Sequence, residues 1–497
     1  MGRVTRGDDV TPERRSGDAT GTEPDPARWR VLAVTLAVGF MSLLDVTIVN
    51  VAIPSMRSGL DTSAATIQWV VSGYALSFGL VLVTGGRLGD AWGRRRLMLV
   101  GLTGFVLASA ACGLAPSVEV LVAARLVQGL SAGLLAPQNT GLIQELFSGA
   151  ERGRAFGLFG LVVSVASAIG PVLGGVIIAL AGEEGGWRWI FLVNVPIGMV
   201  LLLAIARLVP DTRVEVGESD TRLDPGGAVL LGLAVLCLLL PVVALESGAT
   251  GLLWLLLGVP VAGWAFVAWE RRLTRTGGAP LLDIALLRQT PGYGNGIVVG
   301  ALYFTGFTGV FLVLSVYLQD GLGYSTLATG LLLTPFAVGS AVSSAWAGRA
   351  VTRMGRSLVV RALGVMMTGL VLLAVLAAWA QDRPWLWLAL VLPLLLAGLG
   401  GGAVVSPNFT LTLADVPPRM GGAAGGALQT GQRVGAAIGA ATLITAYQLG
   451  SGDGGDPGAG LRAAIGTALA LLLLALAAAV WDGRRRAAAA GAATDRG

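Results

Sequence analysis

The chain has 497 residues, of which 54% are apolar and only 13% charged. Soluble domains carry about 25% charged residues, so this composition excludes a soluble globular protein and indicates a protein embedded in a lipid bilayer. The sequence contains no histidine, which excludes Ser-His catalysis, imidazole proton relays and histidine-based metal sites. The net charge of +5 comes from basic residues scattered through short loops, so we expect no nucleic-acid partner.

Fourteen apolar stretches of the chain are long enough to span a bilayer, because a spanning helix needs about 20 mostly apolar residues. The predicted spans are 31–53, 68–89, 97–115, 118–141, 154–181, 189–208, 225–245, 251–269, 292–318, 327–348, 358–379, 385–407, 421–447 and 461–481. The predicted organisation is a disordered cytoplasmic tail over 1–28, a six-helix bundle over 29–208, linkers with two inserted helices over 209–290, a second six-helix bundle over 291–482, and a cytoplasmic tail over 483–497.

Arginine is distributed unequally between the loops on the two sides of these spans. If the N-terminus is cytoplasmic, most loop arginines face the cytoplasm. The outer loops then hold only Arg57, Arg188, Arg383 and Arg462. This asymmetry obeys the positive-inside rule. We therefore predict a multi-pass protein of the cytoplasmic (inner) membrane with both termini inside.

The first predicted span contains residues 44–54, Leu-Asp-Val-Thr-Ile-Val-Asn-Val-Ala-Ile-Pro. This run closely resembles the first-helix motif of the fourteen-helix drug:proton antiporter family. An ionised carboxylate inside a membrane is costly unless it is hydrated or paired, so Asp45 is a candidate proton-coupling group. The alternative is a structural Asp45 that is hydrogen-bonded to a neighbouring helix.

Residues 86–94, Gly-Arg-Leu-Gly-Asp-Ala-Trp-Gly-Arg, lie between the second and third apolar stretches. They have the spacing of the signature loop of the major facilitator superfamily of secondary transporters. The same spacing returns at Gly348-Arg349 and Gly355-Arg356, which indicates an internal repeat. A Gly/Arg-rich loop that arose by chance is the alternative.

The resemblance implies that this loop is a conformational lock formed by Gly86, Asp90, Gly93 and Arg94. Asp90 would then cap the N-terminus of the thirteenth span near Gly421, where the helix dipole favours an anion. In the second copy of the loop, Thr352 stands in the place of Asp90. We therefore expect the lock to be asymmetric.

The fourth span contains residues 121–129, Leu-Val-Ala-Ala-Arg-Leu-Val-Gln-Gly. They resemble the second motif of the superfamily, in which the Arg is tied to proton coupling. Arg125 stays charged inside the membrane and must find a carboxylate, a carbonyl or water. The alternative role is a structural ion pair that holds two helices together.

The fifth span carries a Gly-Pro pair followed by a Gly-Gly pair, and this pattern resembles the motif characteristic of antiporters in the superfamily. Its residues are Gly170, Pro171, Gly174 and Gly175. Pro171 bends the helix, and the glycines let another helix approach closely. The motif favours export over uptake, and its alternative is ordinary small-residue packing.

Arg433 lies well inside the thirteenth span, where it either pairs with a carboxylate or faces a wet cavity. Together with polar residues of other spans, Arg433 is a candidate residue of the substrate cavity lining. The predicted members of this cavity are Asp45, Asn50, Gln128 and Arg433.

Together these motifs predict an all-α membrane protein with the major facilitator fold, built from two six-helix bundles and two inserted helices. The resemblance implies proton-driven efflux of a drug-like amphipathic molecule or antibiotic, which confers resistance. The alternatives are a proton-coupled uptake symporter of the same fold and a non-transport polytopic membrane enzyme. We expect a monomer in contact with membrane lipids that binds a small-molecule substrate and protons, with no enzyme activity, cofactor or metal.

Overall fold

The computed structural model describes residues 27–182, 185–211, 223–246, 250–381, 383–452 and 455–494. Within these ranges the chain forms helices joined by short turns, with no strand. Most of the predicted N-terminal tail and most of the polar linker before the inserted helices lie outside the described residues.

Fourteen helices of the described chain are long and apolar enough to cross a membrane, which confirms the predicted number of spans. They are α1 (Ala27–Gly59), α2 (Ala65–Trp92), α3 (Arg94–Gly113), α4 (Val118–Leu146), α5 (Gly149–Ala181), α6 (Trp187–Leu208), α7 (Pro225–Leu245), α8 (Thr250–Arg275), α9 (Tyr293–Gly321), α10 (Leu327–Met354), α11 (Arg356–Ala380), α12 (Leu386–Thr412), α13 (Pro418–Ser451) and α14 (Pro457–Arg486). A short helix, Ile284–Gln289, precedes α9.

The two halves of the molecule repeat the same helix pairings. In the first half, α1 packs against α5, α2 against α4, and α3 against α4. In the second half, α9 packs against α13, α10 against α12, and α11 against α12. Each half has its own buried apolar core, so the architecture is two six-helix bundles with α7 and α8 inserted between them in the chain.

The start of α1 and the end of α14 lie at the same end of the bundle, because the number of spans is even. Near the start of α1, Arg28 pairs with Glu151 at the start of α5, with 2.8 Å between Nη2 and Oε1. At the end of α14, Arg486 Nη2 donates to the carbonyl of Leu411, at 3.2 Å. We call this end the terminal face and the opposite end the distal face.

The two halves meet through helix pairs that the internal repeat relates to one another. The start of α5 packs on the end of α10, and the end of α2 packs on the start of α13. Glycines make both contacts close: a Cβ atom at Gly348 would lie 2.5 Å from the carbonyl oxygen of Gly153. These contacts lie at the terminal face, so the halves are joined there.

The inserted helix α7 lies against the seam between α2 and α13. Leu76 of α2 forms a small apolar cluster with Val235 and Leu239 of α7, and Ala437 of α13 packs on the same cluster. The insertion therefore contacts both halves along one side of their interface.

Candidate functional site

A buried polar network surrounds Asp45 in the middle of α1. The side chain of Asp45 is fully buried. Its Oδ2 atom accepts from Arg125 Nη1 of α4, at 2.5 Å. Its Oδ1 atom accepts from Gln128 Nε2 at 3.0 Å and from Asn194 Nδ2 at 2.9 Å. Both carboxylate oxygens are therefore hydrogen-bonded, and the negative charge has a positive partner.

A second ring of contacts fixes the groups that hold Asp45. Gln128 Nε2 also donates to Ser109 Oγ of α3, at 2.6 Å, and Gln128 Oε1 accepts from Arg125 Nη1, at 2.7 Å. Arg125 Nε donates to the carbonyl of Val70 in α2, at 2.9 Å. The network thus ties α1 to α2, α3, α4 and α6, and it lies wholly within the first half.

Two members of this network, Ser109 and Asn194, were not identified by the sequence analysis. Asn194 of α6 donates to Asp45 and also, at 3.3 Å, to Ser109 Oγ. Asn194 could have been identified from the sequence, because it is a polar residue within an apolar span. A serine in a membrane helix often bonds its own backbone, so Ser109 gave no comparable signal.

Four side chains form a stack that runs from this network to the second half. The guanidinium of Arg125 lies 4.2 Å from the ring centroid of Tyr74. Tyr74 stacks on Phe78, one turn along α2, with 6.2 Å between ring centroids. The guanidinium of Arg433, which belongs to α13, lies 4.5 Å from the ring centroid of Phe78. Arg433 therefore faces the first half across the interface.

The four residues predicted to line one substrate cavity do not form one group in this structure. Asp45 and Gln128 are both fully buried inside the first half. Asn50 is exposed. Arg433 lies across the interface, on the second half.

The predicted lock residues are brought together at the terminal face. Asp90 accepts the backbone N–H groups of Gly422, at 3.0 Å, and Ala423, at 2.8 Å, in the first turn of α13. Its Oδ1 atom also lies 2.8 Å from Arg94 Nη2. Arg94 Nη2 in turn donates to the carbonyl of Pro418, at 3.0 Å. A carboxylate from the first half thus caps a helix of the second half, where the dipole stabilises it.

The glycines of the loop let these backbones approach. A Cβ atom at Gly86 would collide with the carbonyl oxygen of Gly422, so only glycine fits there. Gly93 has a φ of 96°, a left-handed conformation that glycine adopts without steric cost. Glu145 of α4 is an additional partner, because its Oε2 lies 3.1 Å from Arg94 Nε.

The second copy of the loop keeps the glycine contact and lacks the anion. Thr352, at the position of Asp90, is exposed. Arg356, at the position of Arg94, turns into its own half, where its Nε lies 2.6 Å from Asp482 Oδ2 and its Nη1 donates to Asn408 Oδ1 at 2.8 Å. The two copies of the loop therefore share the close glycine contact and differ in their charged contacts.

The antiporter-like motif of α5 packs directly on α1 beside Asp45. A Cβ atom at Gly170 would collide with Thr47 Oγ1, and one at Gly174 would lie 3.0 Å from the carbonyl oxygen of Ile48. Thr47 Oγ1 also donates to the carbonyl of Ala166, at 3.2 Å. Gly175 faces open space, and Pro171 is half-buried within the helix. The contact holds α5 against the part of α1 that follows Asp45.

Comparison with known proteins found one matching family model and several relatives of similar sequence. The family model described as Major Facilitator Superfamily matches residues 35–440. The chain is 37% identical to the "Probable actinorhodin transporter" of Streptomyces coelicolor, covering 87% of this chain and 74% of that protein. It is 39% identical to the "Puromycin resistance protein pur8" of Streptomyces alboniger, covering 85% and 82%.

A solved structure shares the fold. The crystal structure of the human organic anion transporter MFSD10 (TETRAN) superimposes with a TM-score of 0.66, covering 91% of this chain and all of that one. Sequence identity between the two is 19%, so this likeness concerns the fold alone.

Proposed function

The chain belongs to the major facilitator superfamily, and on that premise we propose that it exports a drug-like amphipathic compound in exchange for protons. One relative is named as a probable actinorhodin transporter and another as a puromycin resistance protein. Export is the activity that accounts for both names, since a pump that removes an antibiotic makes the cell resistant to it. Membership of this family also points to transport rather than catalysis.

The main support for proton coupling is the buried ion pair between Asp45 and Arg125. A proton that reaches Asp45 removes its negative charge, so Arg125 loses its counter-ion and the carboxyl becomes a hydrogen-bond donor. Because the network joins five helices of the first half, the change in charge alters which helix arrangement is most stable. Proton binding and release at one buried group can thus bias the two states of a transporter.

The α5 motif links the Asp45 site to the second half through helix packing. Gly170 and Gly174 pack on α1 within three residues of Asp45, and the same helix α5 packs on α10. A shift of α1 that follows proton uptake therefore displaces α5, which forms one of the contacts between the halves. In this proposal α1 and α5 move together, because the glycines of the motif let the two helices pack closely.

The orientation in the membrane follows from charge. Most arginines outside the middle of the spans lie at the terminal face, which we place in the cytoplasm of a bacterial inner membrane, with both termini inside. The Asp90 lock then closes the cytoplasmic side, so protons enter from the distal side. We propose that the protein works as a monomer surrounded by lipid, with the half boundaries 29–208 and 291–482.

Inverted membrane vesicles test the proposal directly. An imposed proton gradient should drive accumulation of an aromatic probe by the wild-type protein, offered separately as the amine puromycin and the acid 1-naphthoate, and a protonophore should abolish it. Asp45→Asn should reduce accumulation of the transported probe at least about tenfold, because the amide does not titrate, while passive exchange of that labelled probe continues. Asp61→Asn, an equal change of charge at an exposed site, is the matched control and should transport normally.

A folding defect is separated from a coupling defect by a second variant. Removing one partner of a buried ion pair costs about 3–5 kcal/mol, so Asp45→Asn alone could lower the yield of folded protein. The double variant Asp45→Asn/Arg125→Gln removes both charges and should restore assembly but not active transport. Full proton-driven accumulation by either variant would remove Asp45 from the mechanism.

A further inference from the structure

Arg433 is a charged side chain without a charged partner in the middle of the membrane. Asp45, Arg125 and Arg433 are charged residues that lie within described spans, away from the span ends. A charge at this depth costs several kcal/mol unless it is paired or hydrated. Asp45 has Arg125 as its partner. Within the described residues, no carboxylate lies within ion-pair distance of Arg433.

The contact that Arg433 does make is weaker than this cost. Its guanidinium lies over the ring of Phe78, at 4.5 Å from the centroid. A cation–π contact contributes about 2 kcal/mol or somewhat more when both groups are desolvated. The guanidinium also has five N–H donors in a planar fork, which matches a carboxylate, and a ring face accepts none of them in that geometry.

Arg433 is half-buried and faces the first half across the interface between the two halves. The residue lies on α13, eleven positions after Gly422, so it lies roughly 16 Å along the helix from the Asp90 lock. One turn nearer the lock, Gln429 Nε2 donates to Thr140 Oγ1 of the first half, at 3.0 Å. Arg433 therefore lies at the interface of the two halves, above the point where the lock holds them together.

The Asp45 carboxylate is not available to bind a cationic substrate at this interface. It is fully buried within the first half, and its oxygens are taken by Arg125, Gln128 and Asn194. The charge that the described spans offer to a ligand at this depth is therefore the positive charge of Arg433, which is half-buried, whereas Phe78 and Tyr74 are buried.

From this arrangement we infer that Arg433 binds the acidic group of the transported compound, so that the substrate is an amphipathic acid carried as a carboxylate or phenolate anion. The inference rests on the proposed export function and specifies its substrate class. The guanidinium forms a bidentate, charge-assisted contact with the acid, while the buried ring of Phe78 keeps its cation–π contact with the guanidinium. The ligand thus supplies the counter-ion that the protein does not.

The test uses two probes that share one ring and differ in charge. Radiolabelled 1-naphthoate and 1-naphthylmethylammonium are titrated onto the purified full-length protein in lipid nanodiscs, with empty nanodiscs as the blank. The wild type should bind naphthoate at least about tenfold more tightly than the ammonium probe. Arg433→Gln should lose about tenfold to a hundredfold of the naphthoate affinity, because a hydrogen bond to a charged group contributes about 1.5–3 kcal/mol.

Two further variants control the measurement. Arg433→Lys keeps the charge and should keep the preference for naphthoate, with an affinity lower by a few-fold because the planar fork is lost. It also reports on the site if Arg433→Gln fails to fold. Arg353→Gln removes an exposed arginine of α10 and should leave both affinities unchanged.

Several outcomes would overturn the inference. These are an equal preference for the two probes in the wild type, no naphthoate binding at all, or a naphthoate affinity that Arg433→Gln leaves intact. Failure of the proposed function has a different signature: the vesicles then show no proton-driven accumulation of either puromycin or 1-naphthoate, whatever the binding assay gives. Proton-driven export of the ammonium probe without the carboxylate probe would keep the export function and reject the anionic substrate class.

Discussion

At the scale of single residues, Asp90 and Thr352 show how one charge distinguishes two copies of the same loop. Asp90 accepts two backbone N–H groups of α13 and lies beside Arg94. Thr352 is exposed, and the nearby arginine Arg356 turns to Asp482 instead. The electrostatic part of the contact between the halves is therefore concentrated at the first copy.

We expect Asp90→Asn to weaken this contact. A charge at a helix N-terminus contributes about 0.3–1 kcal/mol, and up to about 2 kcal/mol when it is partly buried. Since about 1.4 kcal/mol corresponds to a factor of ten, the balance between the inward- and outward-facing states should shift by a few-fold to about thirty-fold towards the inward-facing state. Spin-label distances across the distal face measure this balance, and turnover should fall more than substrate affinity.

Thr352→Asn is the matched substitution in the second copy and should be nearly silent, because Thr352 is exposed and carries no charge. Equal shifts from the two variants would show that both loops act alike, and the asymmetric lock would then be rejected.

At the scale of elements, the molecule depends on helices that meet backbone to backbone. The motif of α5 is one example, because Gly170 and Gly174 leave room for Thr47 and Ile48 of α1. The glycines of one helix are not equivalent, however. Gly175 belongs to the same sequence motif and faces open space, so its part in the motif cannot be close packing.

We expect Gly170→Ala to disturb the contact between α1 and α5. Overpacking costs about 1–3 kcal/mol, whereas replacing a helical glycine by alanine gains only up to about 1 kcal/mol. The variant should therefore have a lower thermal stability or lose proton-driven transport. Gly175→Ala adds its methyl group to open space and should retain both. Thermal unfolding in nanodiscs and the vesicle assay measure the two effects. Loss of transport in Gly175→Ala at unchanged stability would assign that glycine to helix bending instead of packing.

At the scale of the whole molecule, the inserted pair α7 and α8 leaves the topology of the two halves unchanged. Two spans return the chain to the face that it left, so α9 enters the membrane from the same side as α1. The pair packs on α2 and α13 along the seam between the halves. An insertion at this place is compatible with the internal repeat because it adds an even number of spans.

Reporter fusions test this topology. A reporter placed after Arg222, a position outside the described residues, and one placed after Arg275, at the end of α8, should both indicate the cytoplasm. A reporter within the connection between α7 and α8 should indicate the outside. An outside signal after either arginine would contradict the insertion of two spans or the proposed orientation.

The sequence by itself determined the fourteen spans, the internal repeat and the position of the signature loop. Each of these depends on local signals: the length of an apolar run, or the spacing of Gly, Asp and Arg within one loop. Such features survive in a linear pattern because neighbours in the chain create them. The contact of Asp90 with the start of α13 joins distant parts of the chain; it was predicted only through the family resemblance, and the structure shows the same contact.

Only the tertiary structure decided which partners the buried polar groups take. Asn194 and Ser109 join Asp45 from other helices, Gln128 is hydrogen-bonded in the same network, and Arg433 lies over Phe78 of the opposite half. The rotation and spacing of packed helices fix these pairs. Since a membrane helix is apolar on nearly all sides, its sequence gives little periodicity from which the facing side could be read.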